Sequence, residues 1–289
     1  MKIEIHQICY SQELLQHVPD GFIPLDNSDN LRSDWREYWP IRNYLINNPL
    51  SEDTWYGFFS PKFFQKTGLG LNEIKNFINI NYKNQDIISF SPFGDLSTFF
   101  INSIEQGDFF QPGLLTTFKE FIKQNNGNVN LLEDFSPMER TVFCNYFLAK
   151  KEFWLKWLHL GEILFSAGEN SQNPVGILLR TNTIYGEQNI PMKIFIQERL
   201  TDYLLIEDKS ISVLPYNAFS LPFSNTPFAS YRNELIKLNS LKCSYLVWGN
   251  DVYKYAFLKE RDLLVANINS SYPFLKNRFE AIQHFNEVY

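Results

Sequence analysis

The sequence predicts an α/β fold: a sheet flanked by helices over residues 1–206, then a mostly helical region over residues 207–289 packed on it. Three observations predict it. Short β-rich segments alternate with stretches of helical periodicity in the first two thirds of the chain, the pattern of a sheet covered by helices. Three helical patterns close the chain, around Tyr231–Leu241, Val252–Ala266 and Pro273–Val288. No segment recurs at a fixed period, which excludes solenoids and propellers.

Each element has a local reason. Ile3, Ile5 and Ile8 mark a first strand that ends in the polar turn around Ser11. Asn30–Asn47 carries Trp35, Tyr38, Trp39, Ile41 and Leu45 near helical spacing, and Pro40 inside it predicts a kink or a split. After the polar residues Ser51, Glu52 and Asp53, Trp55–Phe59 is rich in strand formers. Gly68-Leu69-Gly70 leads into a helix through Phe77 that Asn72 is placed to cap. Asp86–Phe90 reads as a short strand, and Ser91–Gly113 as a loop-rich polar segment. Thr141–Phe147 fits a strand followed by a helix from near Lys150, although the apolar residues from Met138 to Phe165 also fit one long helix. Pro191, tolerated in a first helical turn, opens a helix with Met192, Phe195, Ile196, Leu200, Tyr203 and Leu204 as its buried stripe. Ser210–Thr226 is punctuated by proline and serine, as connecting segments are.

Composition narrows the function classes. The 289 residues carry 26 Lys and Arg against 32 Asp and Glu, a formal charge of −6. With no excess positive field to attract phosphate backbones, no nucleic-acid partner is expected. A hydrophobic content of 44% excludes intrinsic disorder. Aromatic residues reach 17%, so the tryptophans in particular need an explanation, as core or as sugar-stacking platforms. Cys9, Cys144 and Cys243 are far apart and form no CxxC pair, and His6, His17, His159 and His284 show no HxxxH spacing. Neither a disulfide framework nor a zinc site is expected. No apolar run approaches the roughly 20 residues of a membrane span. The opening MKIEIHQICYS alternates apolar and polar residues, unlike a signal peptide, so a cytoplasmic location is the expectation.

Gly68-Leu69-Gly70 lacks the third glycine of a dinucleotide loop, because Glu73 stands there, and reads as turn chemistry. Neither GxxxxGK[ST] nor GxSxG occurs. Three stretches are more informative. They are Asp34-Trp35-Arg36-Glu37-Tyr38-Trp39-Pro40-Ile41-Arg42, the run from Trp55-Tyr56-Gly57 to Lys66, and Met192 to Leu200 with its Glu198-Arg199-Leu200. On these residues the chain resembles bacterial polysaccharide and lipopolysaccharide glycosyltransferases of the GT-A type. Those families share an early charged helix with a Tyr-Trp pair, a strand of YxGxxxxR/K pattern and a later helix carrying Glu-Arg-Leu. The resemblance covers roughly residues 1–206. It implies a GT-A-like nucleotide-binding sheet flanked by helices, with a C-terminal helical region. It also implies transfer of a hexose from a nucleotide sugar, a UDP-hexose foremost, to a glycan or lipid-linked glycan of the cell surface or capsule.

Such chemistry must stabilise negative charge on the departing diphosphate. Many GT-A enzymes use Mn²⁺ or Mg²⁺ held by Asp-x-Asp, a motif this chain lacks, so metal use stays open and no ligand residue is assigned. Ser60-Pro61-Lys62 and, four residues on, Lys66 stand at the strand end where that motif would lie. An ammonium can replace a metal as a point charge on phosphate. Lys62, with Lys66 or Arg36 assisting and Ser60 beside it, is therefore the candidate for the diphosphate, and solvated surface lysines are the alternative. Ile5–Ser11 would hold the nucleobase. Glu198, in a region that the resemblance places near the acceptor, is the candidate general base, with Arg199 next to it. A helix-surface ion pair is the alternative there, and Asp95, Glu105 and Asp108 are rival bases in Ser91–Gly113. Asn145 and Tyr146 are candidates for sugar hydroxyls. Trp35, Trp39, Trp55, Trp154 and Trp157 either stack on sugars or fill the core, and Trp154 and Trp157 are expected to point inward.

Two other classes remain open. A non-catalytic carbohydrate-binding or assembly protein on a degenerate transferase fold is favoured by the missing Asp-x-Asp. A glycoside hydrolase needs two carboxylates flanking the bond, and the acidic residues are too unpatterned to reveal such a pair. The aromatic-rich C-terminal helices are compatible with a peripheral contact on the inner membrane, although they carry no basic amphipathic signature.

Overall fold

The computed structural model describes residues 2–185 and 188–271. Its strands are β1 (Lys2–Cys9), β2 (Ile23–Asp26), β3 (Thr54–Phe59), β4 (Ile87–Ser89), β5 (Phe147–Ala149), β6 (Asn182–Tyr185), β7 (Gln188–Pro191) and β8 (Val213–Pro215). The helices are α1 (Gln12–Gln16), α2 (Tyr38–Asn47), α3 (Phe63–Thr67), α4 (Leu71–Asn81), α5 (Gly94–Phe99), α6 (Ser103–Phe110) and α7 (Leu114–Gln124). They continue with α8 (Lys151–Glu169), α9 (Pro174–Arg180), α10 (Met192–Gln197), α11 (Leu200–Glu207), α12 (Arg232–Trp248) and α13 (Asp251–Ser271). No helix among the described residues is long and apolar enough to cross a membrane.

Six strands form one sheet in the order β2-β1-β3-β5-β4-β8, parallel throughout except for β5, and β6 pairs with β7 as a separate hairpin. The centre of the sheet is covered on both faces, which is why β3 reads as a near-continuous apolar run. β1 alternates apolar and polar residues, and the edge strand β2 is mostly exposed. On one face Tyr56 and Phe58 pack with Trp154 and Trp157 of α8, and with Trp35 and Tyr38. On the other, Ile5, Trp55, Phe59, Ile88 and Leu148 pack with Phe63, Ile74 and Ile78 of α3 and α4. Trp154 and Trp157 point inward as expected, and the Trp154 indole donates to the Tyr56 carbonyl at 3.0 Å. Gly57 lets β5 approach β3: a Cβ there would stand 2.5 Å from Leu148 Cδ2 and 3.1 Å from the Phe147 carbonyl oxygen.

Several elements differ from the sequence expectation, each for a local reason. Asn30–Asn47 is not one helix. Ser33–Trp35 forms a separate 3₁₀ turn and α2 starts at Tyr38, so Pro40 falls in the first turn and kinks nothing. Gly70, not Asn72, precedes α4, and its amide donates to Glu73 Oε2 at 2.9 Å. Gly68 ends α3 with a φ of 70°, so the glycine pair is turn chemistry. Ser91–Gly113 is largely helical, as α5 and α6, rather than loop. β5 starts only at Phe147, because Cys144 and Asn145 both take a left-handed backbone. Pro191 ends β7, and the helix predicted after it is two, α10 and α11, broken at Glu198-Arg199. The Ser210–Thr226 stretch supplies the edge strand β8, which was not foreseen. The helical pattern at Pro273–Val288 lies outside the described residues.

The C-terminal helices α12 and α13 are fastened to the sheet domain by two buried cations. Lys242 Nζ donates to the carbonyls of Ser97, Phe100 and Ser136 at 2.6, 2.7 and 2.7 Å. Arg261 Nη1 reaches both carboxylate oxygens of Glu105 at 2.9 Å.

Candidate functional site

The parallel part of the sheet fixes where a ligand can sit. From β1 the chain goes to β2 on one side, then returns past β1 to β3 on the other. Beyond the carboxyl ends of β1 and β3 the connections therefore diverge and leave a crevice, the usual ligand position in open α/β sheets. A cleft of about 480 Å³ lies there, lined by Tyr10 after β1, Asn30, Ser33, Arg36 and Glu37 before α2, Ser60, Pro61, Lys62 and Lys66 after β3, and Glu198.

The segment that carries Arg36 and Glu37 is locked from behind. Asp34 accepts from Arg32 Nε at 2.8 Å and from Lys193 Nζ at 2.6 Å. The Arg32 side chain is the first of the forces that hold the Asp34 carboxyl down at about 2, with Lys193 assisting against partial burial. The Trp35 indole, fully buried, donates to Glu169 Oε1 at 2.8 Å and lies under the Lys193 ammonium, 4.2 Å from the ring centre. This clamp holds Arg36 at a φ of 43°, a conformation that costs on the order of 1–3 kcal/mol and survives only where the surroundings impose it. Asn30, Phe93, Cys144 and Asn145 also have left-handed backbone, at 45°, 64°, 61° and 54°.

Charge is concentrated in the cleft. Lys66 Nζ donates to Cys144 Sγ at 3.1 Å. Burial pulls the Lys66 ammonium down, but Cys144, Glu37 and Glu198 outweigh it and the net shift is upward. Glu37 accepts a long hydrogen bond from the Tyr10 hydroxyl at 3.4 Å. Burial, then the Glu198 charge, push the Glu37 carboxyl up to about 7, against Lys66, Tyr10 and Arg36. Burial also raises Glu198, opposed first by Arg199 and then by Lys66 and Arg36. At the floor, Ser60 and Tyr146 share a hydrogen bond of 2.6 Å between their hydroxyls.

Of the residues expected from sequence, Arg36, Ser60, Lys62, Lys66 and Glu198 line this one cleft, although they come from three separated segments. Tyr146 reaches it through Ser60, and Asn145 follows Cys144 with both amide atoms buried and without a hydrogen-bond partner among the described residues. Two expected residues face elsewhere. Asp95, fully buried on α5, accepts from the Ser224 amide at 3.0 Å and from the Thr226 hydroxyl at 3.1 Å, so it ties a C-terminal loop down. Arg199 points into the protein, donating to the Ser103 and Phe195 carbonyls at 2.7 and 2.6 Å and to Gln106 Oε1 at 2.8 Å. Gly107 makes room for it, since a Cβ there would lie 2.4 Å from Arg199 Nε. The rival bases Glu105 and Asp108 are also engaged in structure, with Arg261 and with the Gly113 and Leu115 amides. Tyr10 falls within the expected Ile5–Ser11 segment, whereas Asn30, Ser33 and Glu37 were missed. Glu37 stood in the charged stretch beside Arg36, but nothing in its spacing set it apart from a solvated residue.

No group of three or more His, Cys, Asp or Glu that could hold a metal ion occurs among the described residues. The cleft's two carboxylates share it with three cations, so this donor set does not fit a resident divalent ion.

On α11, Asp202 is fully buried and its Oδ1 accepts from the Val142 amide at 2.6 Å. Burial holds its carboxyl up at about 7. The folded state therefore keeps a proton that the unfolded chain gives up above about 4, so this group's stabilisation is full at low pH and is lost as pH rises to about 7. Asp202→Asn is expected to be close to neutral at pH 4 and more stable than the wild type at pH 8. Thermal melts of both proteins across that range check this, and parallel curves would contradict it.

No family model matches the chain, and no curated protein and no solved structure matches it.

Proposed function

We propose that this chain is a GT-A-like glycosyltransferase that moves a hexose from a nucleotide sugar, a UDP-hexose foremost, to a surface glycan or lipid-linked glycan. One observation carries the reading: the crevice at the carboxyl ends of β1 and β3 gathers Arg36, Lys62 and Lys66 around a polar floor. Three cations against two carboxylates leave this cleft of an acidic protein with an excess of positive charge, which fits an anionic ligand such as a diphosphate. Tyr10, which lines the cleft after β1, lies in the Ile5–Ser11 segment that the resemblance assigns to the nucleobase.

The residues would divide the work as follows. Arg36, Lys62 and Lys66 would neutralise the diphosphate and stabilise the charge that develops on it as the bond to the anomeric carbon breaks. Ser60, tied to Tyr146, would orient the donor. A carboxylate of the same cleft would receive the proton of the acceptor hydroxyl.

The test is turnover. Wild-type protein incubated with UDP-glucose, UDP-galactose or UDP-N-acetylglucosamine is expected to release UDP above the buffer rate, even with water as acceptor, and Lys66→Met is expected to lose that release. Binding of free oligosaccharide with no release from any nucleotide sugar would move the reading to a non-catalytic carbohydrate-binding protein.

A further inference from the structure

We propose that Cys144 and Phe93 are positioning residues that aim the Lys66 ammonium at the bound diphosphate; this rests on the transferase reading above. The lysines of the cleft are held differently. Lys62 is exposed, whereas Lys66 is half-buried in a collar built from two other segments of the chain. Its Nζ donates to Cys144 Sγ at 3.1 Å and stands 5.8 Å from the centre of the Phe93 ring and 5.9 Å from that of Tyr146. Both ring distances lie within the range over which an aromatic face attracts a cation.

The collar is fixed by the sheet. Phe93 follows β4 and Cys144 precedes β5, and the Phe143 amide ties the two segments together by donating to Ser91 Oγ at 2.9 Å. Each segment takes a left-handed backbone at the residue that meets Lys66, with φ of 64° at Phe93 and 61° at Cys144. For a side chain as bulky as phenylalanine that is a genuine outlier, and such conformations persist only where the surroundings impose them. Tyr146 draws Ser60 of the cleft into the same unit through their shared hydroxyl hydrogen bond.

The chemistry of the collar suits a cation that must stay charged. An ammonium has three donors, so one spent on sulfur leaves two for phosphate oxygens. Burial pushes the Cys144 thiol up to about 11, so at pH 7 the sulfur is neutral and takes the hydrogen bond without cancelling the charge. The two rings also attract the ammonium without neutralising it. Glu37 and Glu198 act on Lys66 only through space, with no hydrogen bond to it. Lys66 is thereby fixed in direction while its charge stays available to a ligand.

The experiment is a double-mutant cycle read by isothermal titration with UDP and with inorganic pyrophosphate. Cys144→Ala is expected to weaken both ligands roughly three- to tenfold, the scale of one intramolecular hydrogen bond. Cys144→Ser, whose hydroxyl takes the same hydrogen bond, should recover most of that loss. Phe93→Leu, which keeps an apolar side chain without a ring face, should lose roughly two- to fivefold. In the Lys66→Met background neither Cys144→Ala nor Phe93→Leu should cost anything further, because each acts through the ammonium. Equal losses in both backgrounds, or a Cys144→Ser protein as weak as Cys144→Ala, overturn the assignment while leaving the transferase reading intact. Binding of pyrophosphate but not of UDP overturns the transferase reading, and the cycle run with pyrophosphate then decides the collar. A wild type that binds neither overturns both.

Discussion

Lys242→Ala is expected to be among the most destabilising single substitutions in the protein, at roughly 3–5 kcal/mol. Lys242 is fully buried on α12, and its ammonium satisfies the carbonyls of Ser97, Phe100 and Ser136, with Ile101 a weaker fourth at 3.3 Å. Removing it leaves those acceptors dry, at about 1–3 kcal/mol for each left unsatisfied, and opens a void where the side chain lay. The loss falls on the join between α12 and α5, so the C-terminal helices should loosen before the sheet does. A thermal melt should show a fall of roughly 10 °C or more. Lys242→Met should recover the packing but not the hydrogen bonds, and so fall between the two. A Lys242→Ala protein that melts with the wild type would mean that the C-terminal helices are held chiefly by their apolar contacts.

Trp35→Ala is expected to remove both stability and ligand binding. The indole is buried against Tyr38 and Phe165, with ring centres 5.3 and 5.0 Å away, and its truncation should cost roughly 3–5 kcal/mol. The same side chain anchors the turn that holds Arg36 in its left-handed backbone. Without it that turn can relax, and Arg36 and Glu37 leave the cleft. Trp35→Phe should recover most of the stability while losing the indole hydrogen bond to Glu169. The two variants, compared by thermal melt and by UDP affinity, separate packing from positioning. Equal UDP affinity in Trp35→Ala and the wild type would show that the clamp does not position the site.

How much of this was legible beforehand follows from the range of the forces involved. Trp55–Phe59 was readable as a strand because burial on both faces leaves a local apolar record, and Ile3–Ile8 because its isoleucines alternate with polar residues. β2 and β8, at the two edges of the sheet, carry little such record: Ile23–Asp26 is mostly exposed and contains a proline, and Val213–Pro215 is three residues long. The cations of the site were readable as charges beside aromatic strands, but their convergence was not, since it depends on the crossover from β2 to β3. Asp95 and Arg199 show the opposite error. Both are charged and both lie near apolar elements, yet their partners are the Ser224 amide and the Ser103 carbonyl, 129 and 96 residues away in the chain, and no local pattern reports such contacts. Glu37 was missed for a related reason. Its special setting comes from burial and from Glu198, which only the folded chain brings near.

The central claim is that the cleft after β1 and β3 grips a nucleoside diphosphate through Arg36, Lys62 and Lys66. Isothermal titration of the protein with UDP, with uridine as control and with EDTA present, tests it most directly. The account expects one UDP per chain, far weaker binding of uridine, no dependence on divalent metal, and a loss of roughly 10–100-fold in affinity for Lys66→Met, the magnitude of one charge-assisted hydrogen bond. Equal affinity for UDP and uridine, or a Lys66→Met protein that binds UDP like the wild type, would contradict it.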